Sequence, residues 1–192
     1  MRAMLEFLAL GSDPEAAKAV AQQLGGVAYL SNGGGEGRPF ASIVRVATSD
    51  PAALAPAADL GRYLVYSRTM RSHPRNWTGP NPTPGLVGAF GLVRRSDLTH
   101  AQADAHWRDI HAPLALRIHI GMWDYTQCSV VERFSGEDYD GIALCGFGSE
   151  DDLRLRFFDG PEGQQAIRDD VASFADTTRS PRRVLCQEWT FR

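Results

Sequence analysis

Lysine is almost missing from this chain. Nineteen of its 20 basic residues are arginine and Lys18 stands alone, so Schiff-base or P-loop chemistry has almost nothing to work with. Cysteine is scarce and odd in number: Cys128, Cys145 and Cys186 lie in apolar segments with no C-x-x-C pair. That pattern supports neither a disulfide framework nor a zinc site. No apolar run approaches the roughly 18 residues of a membrane span. Positive charge is not in excess either. The net charge is −3 and the pI about 5.9, which leaves no electrostatic footprint for nucleic acid or an anionic membrane surface. We therefore expect a cytoplasmic protein with neither partner. The opening Met1–Leu10 superficially resembles a signal peptide, but Glu6 interrupts it and no small-x-small site follows, so it reads as a strand.

What the 192 residues do hold is apolar and aromatic: 43% hydrophobic, with nine Phe, five Tyr and four Trp, enough to fill a core. Two stretches repeat one order of elements. In the first, Met4–Leu10 reads as a strand. Ser12 or Asp13 then caps a helix with Pro14 in its first turn and Ala16, Ala17, Val20, Ala21 and Leu24 along one side, stopped by Gly25-Gly26. Val27–Ser31 and Ala41–Ala47 read as strands around a Gly-rich hairpin at 32–37. Asp50–Leu60 follows as an Ala/Pro-rich helical turn and Tyr63–Ser67 as a fourth strand. The second stretch begins with a strand at Leu86–Arg94 and a helix opened by the Thr99/Gln102 capping box, running to about Ile110. Strands at Met122–Val131 and Tyr139–Phe147 come next. Helices capped at Ser149 and opened by Gly160-Pro161 precede a last strand, Val184–Phe191.

Both stretches are βαββαβ. The expected fold class is α+β: tandem ferredoxin-like βαββαβ repeats, residues 1–72 and 85–192, whose apolar sheet faces cover each other as a two-sheet, pseudo-dimeric α+β barrel. The proline-rich run 73–84 is the linker, with Trp77 expected to lie against the protein. Such a chain is a monomer with an internal pseudo-dimer, or a homodimer.

Four of the five histidines, His100, His106, His111 and His119, fall within twenty residues. On an α-helix, at 100° per residue, His106 and His111 diverge by about 140°. No cysteine or carboxylate completes a ligand set, so no metal is expected. Trp107 and His111 stand at i, i+4 and share a helix face. Pro113 disfavours the α region for Ala112, so a first helix is expected to end near His111 and a second to start at Pro113. There the end of one helix favours imidazolium, whereas the start of the next and burial favour neutral imidazole. That balance suits a proton shuttle; a core histidine bonded to a carbonyl is the other reading. His100, His106 and His119 read as surface residues, and Trp107 as packing.

The strand from Met122 to Cys128 alternates, placing Trp123, Tyr125 and Gln127 on one face, a suitable pocket wall. The Tyr125 phenol can donate to a developing oxyanion or make a structural bond. Asp140 either orients His111 or caps a turn. Of Asp169 and Asp170 at most one can face inward, and Glu188 is an inward acid or an edge charge. The Gly-rich segment 32–37 lies between strands and precedes no helix, so it is no phosphate loop.

The second stretch also resembles a known family. The residues that carry the likeness are Leu98-Thr99, the run His106-Trp107-Arg108-Asp109-Ile110-His111-Ala112-Pro113-Leu114-Ala115, Tyr125-Thr126-Gln127 and Tyr139-Asp140-Gly141-Ile142-Ala143. They continue in Phe157-Phe158-Asp159-Gly160-Pro161-Glu162-Gly163, Asp169 and Phe174. Together they resemble the EthD-like family of the dimeric α+β barrel superfamily. The W-x-x-x-H-x-P-L-A element is the most specific piece, and the first stretch lacks it. The resemblance implies a cleft between helices and sheet for a small hydrophobic molecule, often aromatic or polyketide-like. By position it makes His111 the acid/base, Tyr125 a polar helper, Trp107 a wall and Asp140 at most a supporting residue. Trp107, Trp123, Gln127 and Asp140 are thus the candidate substrate-binding residues. The activity expected is that of a lyase or cyclase needing no cofactor. A non-catalytic carrier of the same ligand and a haem-binding barrel with a histidine ligand are the alternatives.

Overall fold

Asp13 ends the first strand and opens the first helix: its carboxylate accepts the backbone N–H groups of Glu15 and Ala16 at 2.9 and 3.2 Å. The computed structural model in which this is seen describes residues 2–31, 33, 37–73 and 81–191, so Trp77 and most of the proline-rich run lie outside the described residues. β1 (Arg2–Gly11) leads through this cap into α1 (Pro14–Leu24), which Gly25 closes in the left-handed conformation. β2 (Val27–Ser31), β3 (Ser42–Val46), a tight 3₁₀ turn over Pro51–Ala57 and β4 (Gly61–Arg71) complete the first half. The second half comprises β5 (Leu86–Leu92), α2 (His100–His106), a π-turn over Trp107–His111 and α3 (Ala112–Ile118). β6 (Met122–Gly136), β7 (Gly141–Phe147), α4 (Glu150–Leu155), α5 (Pro161–Phe174) and β8 (Val184–Thr190) follow. Thr99 and Gln102 form the capping box that opens α2. No helix among the described residues is long and apolar enough to cross a membrane.

The strands are antiparallel and close into a single barrel in the order β1-β3-β2-β8-β5-β7-β6-β4. A barrel of two facing sheets was the expectation, and a barrel is what forms, as one continuous sheet. The edge strands of the halves bond to one another: β2 pairs with β8 from Val27↔Thr190 to Ser31↔Cys186, and β4 pairs with β6 from Gly61↔Gly136 to Arg71↔Tyr125. Closure leaves no unpaired edge in either half. It also explains why β4 and β6 outrun the alternation read from sequence. Their extensions are stabilised by each other, a pairing that no local pattern records.

Leu8, Ile43, Val65, Ile142 and Val184 fill the barrel around a buried ion pair, Glu6–Arg45, at 3.2 Å. Glu188 faces inward too, with its carboxylate accepting from Thr83 Oγ1 at 3.0 Å. Outside the barrel the halves differ. α1 lies close on its sheet because Ala17, Val20 and Ala21 meet Ala9, Ala28 and Val44. Over the second half, α3 and α5 present bulkier residues such as Leu114, Ile118 and Ile167 to Tyr125, Cys145 and Phe147. A cavity lies between those helices and the sheet.

Candidate active site

Ala112 keeps helical dihedrals (φ −62°, ψ −45°) directly ahead of Pro113, so the expected break after His111 does not occur. Pro113 lacks an N–H, and its ring crowds the carbonyl four residues back. The chain accommodates it by widening one turn: Ala112 N–H bonds to the Trp107 carbonyl, five residues away. Residues five apart then face the same side. His106 and His111, which an α-helix would spread by about 140°, converge on one carboxylate. Asp170 Oδ2 lies 2.7 Å from His111 Nδ1, and its Oδ1 lies 2.8 Å from His106 Nε2.

Asp170 arrives from the middle of α5, while its neighbour Asp169 faces outward to Gln165. Burial pushes the Asp170 carboxyl up, but the hydrogen bonds from His111 and His106 outweigh it and hold the group below the usual carboxylate range. An ionised carboxylate only accepts, so Nδ1 of His111 carries the hydrogen, and in the neutral ring Nε2 is the nitrogen with the lone pair. The His111 and Asp170 side chains are each only 11% exposed.

Asp140 is not the residue that orients His111. It accepts the Arg94 backbone N–H and Nη1, both at 2.8 Å, and bonds His100 Nδ1 at 2.9 Å. Burial pushes its carboxyl up, but His100 and Arg94 bring it below the usual range, and Asp140 in turn raises the His100 imidazole. His100 stands at the opposite end of the helix, about 16 Å from His111 at 1.5 Å per residue. Asp140 thereby ties the start of α2 to the β6–β7 turn, outside the cavity.

The cavity has a volume of about 290 Å³ and is walled by Phe90, Trp107, Phe157 and Phe174, with His111, His119 and Tyr125 also lining it. Tyr125 and Gln127 stay on the outer face of β6, but Trp123 does not share it. A β-bulge between Met122 and Asp124 turns Trp123 away and brings Met122 beside Tyr125. Trp123 packs at a tilt against His73, with ring centroids 4.3 Å apart, and does not line the cavity.

Gln127 is fully buried beneath the cavity wall. Its Nε2 donates to the Trp107 carbonyl at 2.9 Å and to Tyr125 Oη at 3.0 Å. The carbonyl fixes the amide's orientation, since it can only accept. Tyr125 Oη therefore receives a hydrogen bond and keeps its own O–H for another partner. Burial pushes the phenol well above its ordinary range, so it remains protonated and a donor. The π-turn, Gln127 and Tyr125 are thus one connected arrangement.

His119 is buried, not on the surface. The last turn of α3 carries it inward, where its ring stacks on Phe157 at 4.3 Å and Nδ1 meets the Phe157 carbonyl at 2.5 Å. Burial lowers its pKa below the usual 6.5. A histidine held neutral in the folded state gives its full stabilisation above the unfolded-state value and loses it as pH falls below about 6.5. His119→Gln is accordingly expected to flatten the decline of melting temperature between about pH 6.5 and 5. Cys145 also lines the cavity, and burial pushes its thiol up to about 12.

Trp107 depends on a glycine. A Cβ at Gly141 would come within 2.4 Å of the Trp107 ring. Gly141→Ala is expected to displace that ring into the cavity at a cost of about 1–3 kcal/mol, measurable by denaturant unfolding alongside loss of ligand binding. The sequence left the part of Asp170 undetermined and misplaced Trp123, His119 and His106, the last of which bonds Asp170 with its side chain 23% exposed. The available signal was the pair of histidines five apart with a proline two residues on, the signature of a widened turn. Among the described residues no group of three or more His, Cys, Asp or Glu is placed to hold a metal ion.

Residues 95–178 match the family model described as EthD domain. No curated protein matches the sequence. Among solved structures, an anthrone oxidase-like protein is similar with a TM-score of 0.59 at 10% identity, covering 99% of this chain and 92% of that one. The heme-degrading enzyme LmHde of Listeria monocytogenes gives a TM-score of 0.52 at 11% identity, covering 96% and 99%. At such identities the likeness is one of fold: an α+β chain built on a closed eight-strand barrel.

Proposed function

From the premise that this chain carries an EthD domain at residues 95–178, we propose that it is an acid–base enzyme, a lyase or cyclase acting on a small aromatic or polyketide-like carbonyl compound. The observation that carries this reading is the His111–Asp170 pair, buried at the wall of an apolar cavity of about 290 Å³. That volume sits at the small end of ligand pockets. His111 Nε2 takes a proton from a carbon conjugated with the carbonyl, and the C–H electron pair becomes an enolate. Asp170 stabilises the imidazolium, and the Tyr125 O–H donates to the enolate oxygen. When the substrate bears a β-hydroxyl, the enolate expels it as the double bond forms. The imidazolium returns its proton to that oxygen, which leaves as water.

We further read the barrel as two copies of one βαββαβ unit, the second keeping the site. Supporting this, the halves lay their strands out alike, β4-β1-β3-β2 and β8-β5-β7-β6. Haem does not fit the cavity, whose volume of about 290 Å³ is small for it.

The test uses anthrones and aromatic β-ketones, chosen with the anthrone oxidase-like structural relative in mind. Incubated with the protein in D₂O, these compounds are expected to gain deuterium at the acidic carbon faster than in buffer, as read by mass spectrometry. Exchange no faster than buffer across the series overturns the proposal.

A further inference from the structure

Two imidazoles line the same cavity in different environments. His111 has an ionised carboxylate behind Nδ1, which stabilises a cation. His119 has a carbonyl there: Nδ1 lies 2.5 Å from Phe157 O. A carbonyl cannot donate, so Nδ1 carries the hydrogen and Nε2 is left with the lone pair. Nε2 has no hydrogen-bond partner among the described residues. The ring stacks on Phe157 at 4.3 Å and meets Phe158 at a tilt at 5.4 Å. Burial disfavours its charged form, and the neighbouring His111 does the same, outweighing the opposite effects of the Phe157 carbonyl and Asp159. A carboxylate behind one ring and a carbonyl behind the other suit the two imidazoles to different roles: His111 to proton transfer, His119 to accepting a hydrogen bond.

We propose that His119 is a specificity-determining residue whose Nε2 accepts a hydrogen bond from a hydroxyl of the ligand. This rests on the reading of the cavity as a binding site for aromatic carbonyl compounds and narrows it to hydroxylated ones. The polar groups offered to a ligand then include a donor, Tyr125 O–H, and two acceptors, the Nε2 atoms of His111 and His119, with Thr177 and Ser180 also on the lining. The matching molecule offers a carbonyl to Tyr125, an acidic C–H to His111 and a hydroxyl to His119, on a flat ring system that fills the space between Phe90, Trp107, Phe157 and Phe174.

Binding of 2-naphthol and of 2-methoxynaphthalene, which lacks the donor, tests this without any turnover. The unmodified protein is expected to prefer 2-naphthol by up to about tenfold, the worth of one hydrogen bond. His119→Leu should bind both equally, His119→Gln should keep part of the preference through its amide oxygen, and His111→Ala should keep it in full. In the unmodified protein the ¹⁵N resonance of His119 Nε2 should move with 2-naphthol and stay still with 2-methoxynaphthalene, a readout that does not depend on any variant folding. The inference is overturned by an absent preference, by one that survives in His119→Leu or vanishes in His111→Ala, or by an unmoved Nε2 resonance. Absence of deuterium exchange would remove the catalytic reading and leave these binding results intact.

Discussion

His111→Ala lowers the rate of proton removal in the cavity by roughly 10²–10⁴-fold, the span of a positioned general base. The binding of an apolar ligand, carried by the aromatic walls, changes little, so the loss falls on kcat and not on KM. Asp170→Asn is expected to fall in the same range although it removes no reacting atom. An amide can present its NH₂ to His111 Nδ1, which reverses the tautomer and places the hydrogen on Nε2, where the base must be free. Steady-state rates on the compound that exchanges fastest check both. An Asp170→Asn rate within about threefold of the unmodified protein would show that the carboxylate does not set the imidazole's tautomer.

The largest effect on stability is expected inside the barrel. Glu6 and Arg45 form an ion pair at 3.2 Å in which both side chains are nearly sealed from water. Removing one member leaves a buried charge uncompensated, at about 3–5 kcal/mol. For a chain of this length that lowers the melting temperature by roughly 10 °C. Glu6→Ala is the informative variant, because it leaves the Arg45 guanidinium beside neutral groups, the Cys128 thiol at 4.0 Å and the Tyr29 ring at 5.9 Å. Replacing both residues by leucine should recover much of the loss, since apolar side chains need no partner there. Thermal denaturation of the single and double variants reads the difference.

Much of the architecture was legible because local chemistry writes it. Asp13 and Thr99 announce helix starts through capping, and Gly25 announces a stop. Strand alternation gives most of the sheet. A barrel was legible but the ladders that join its halves were not, since β4 and β6 pair residues from 54 (Arg71↔Tyr125) to 75 (Gly61↔Gly136) positions apart. The site divides along the same line. His111, Trp107 and Tyr125 could be picked from spacing and from the family resemblance, and all three line the cavity. Trp123 was misplaced because a bulge reverses the alternation after Met122. Asp170 was undetermined because its partner is set by a turn of π geometry that a uniform 100° rotation per residue excludes. His119 was assigned outward because the turn after α3 that returns it to Phe157 leaves no periodic signal.

The most direct test of the account is the tautomer of His111, observed by long-range ¹H–¹⁵N correlation on protein labelled with ¹⁵N at histidine. The expected result for the neutral ring is a hydrogen on Nδ1 and a bare Nε2, with the assignment reversed or blurred in Asp170→Asn. A hydrogen resident on Nε2 of the neutral ring in the unmodified protein would contradict the account, because the nitrogen that must take the proton would already hold one.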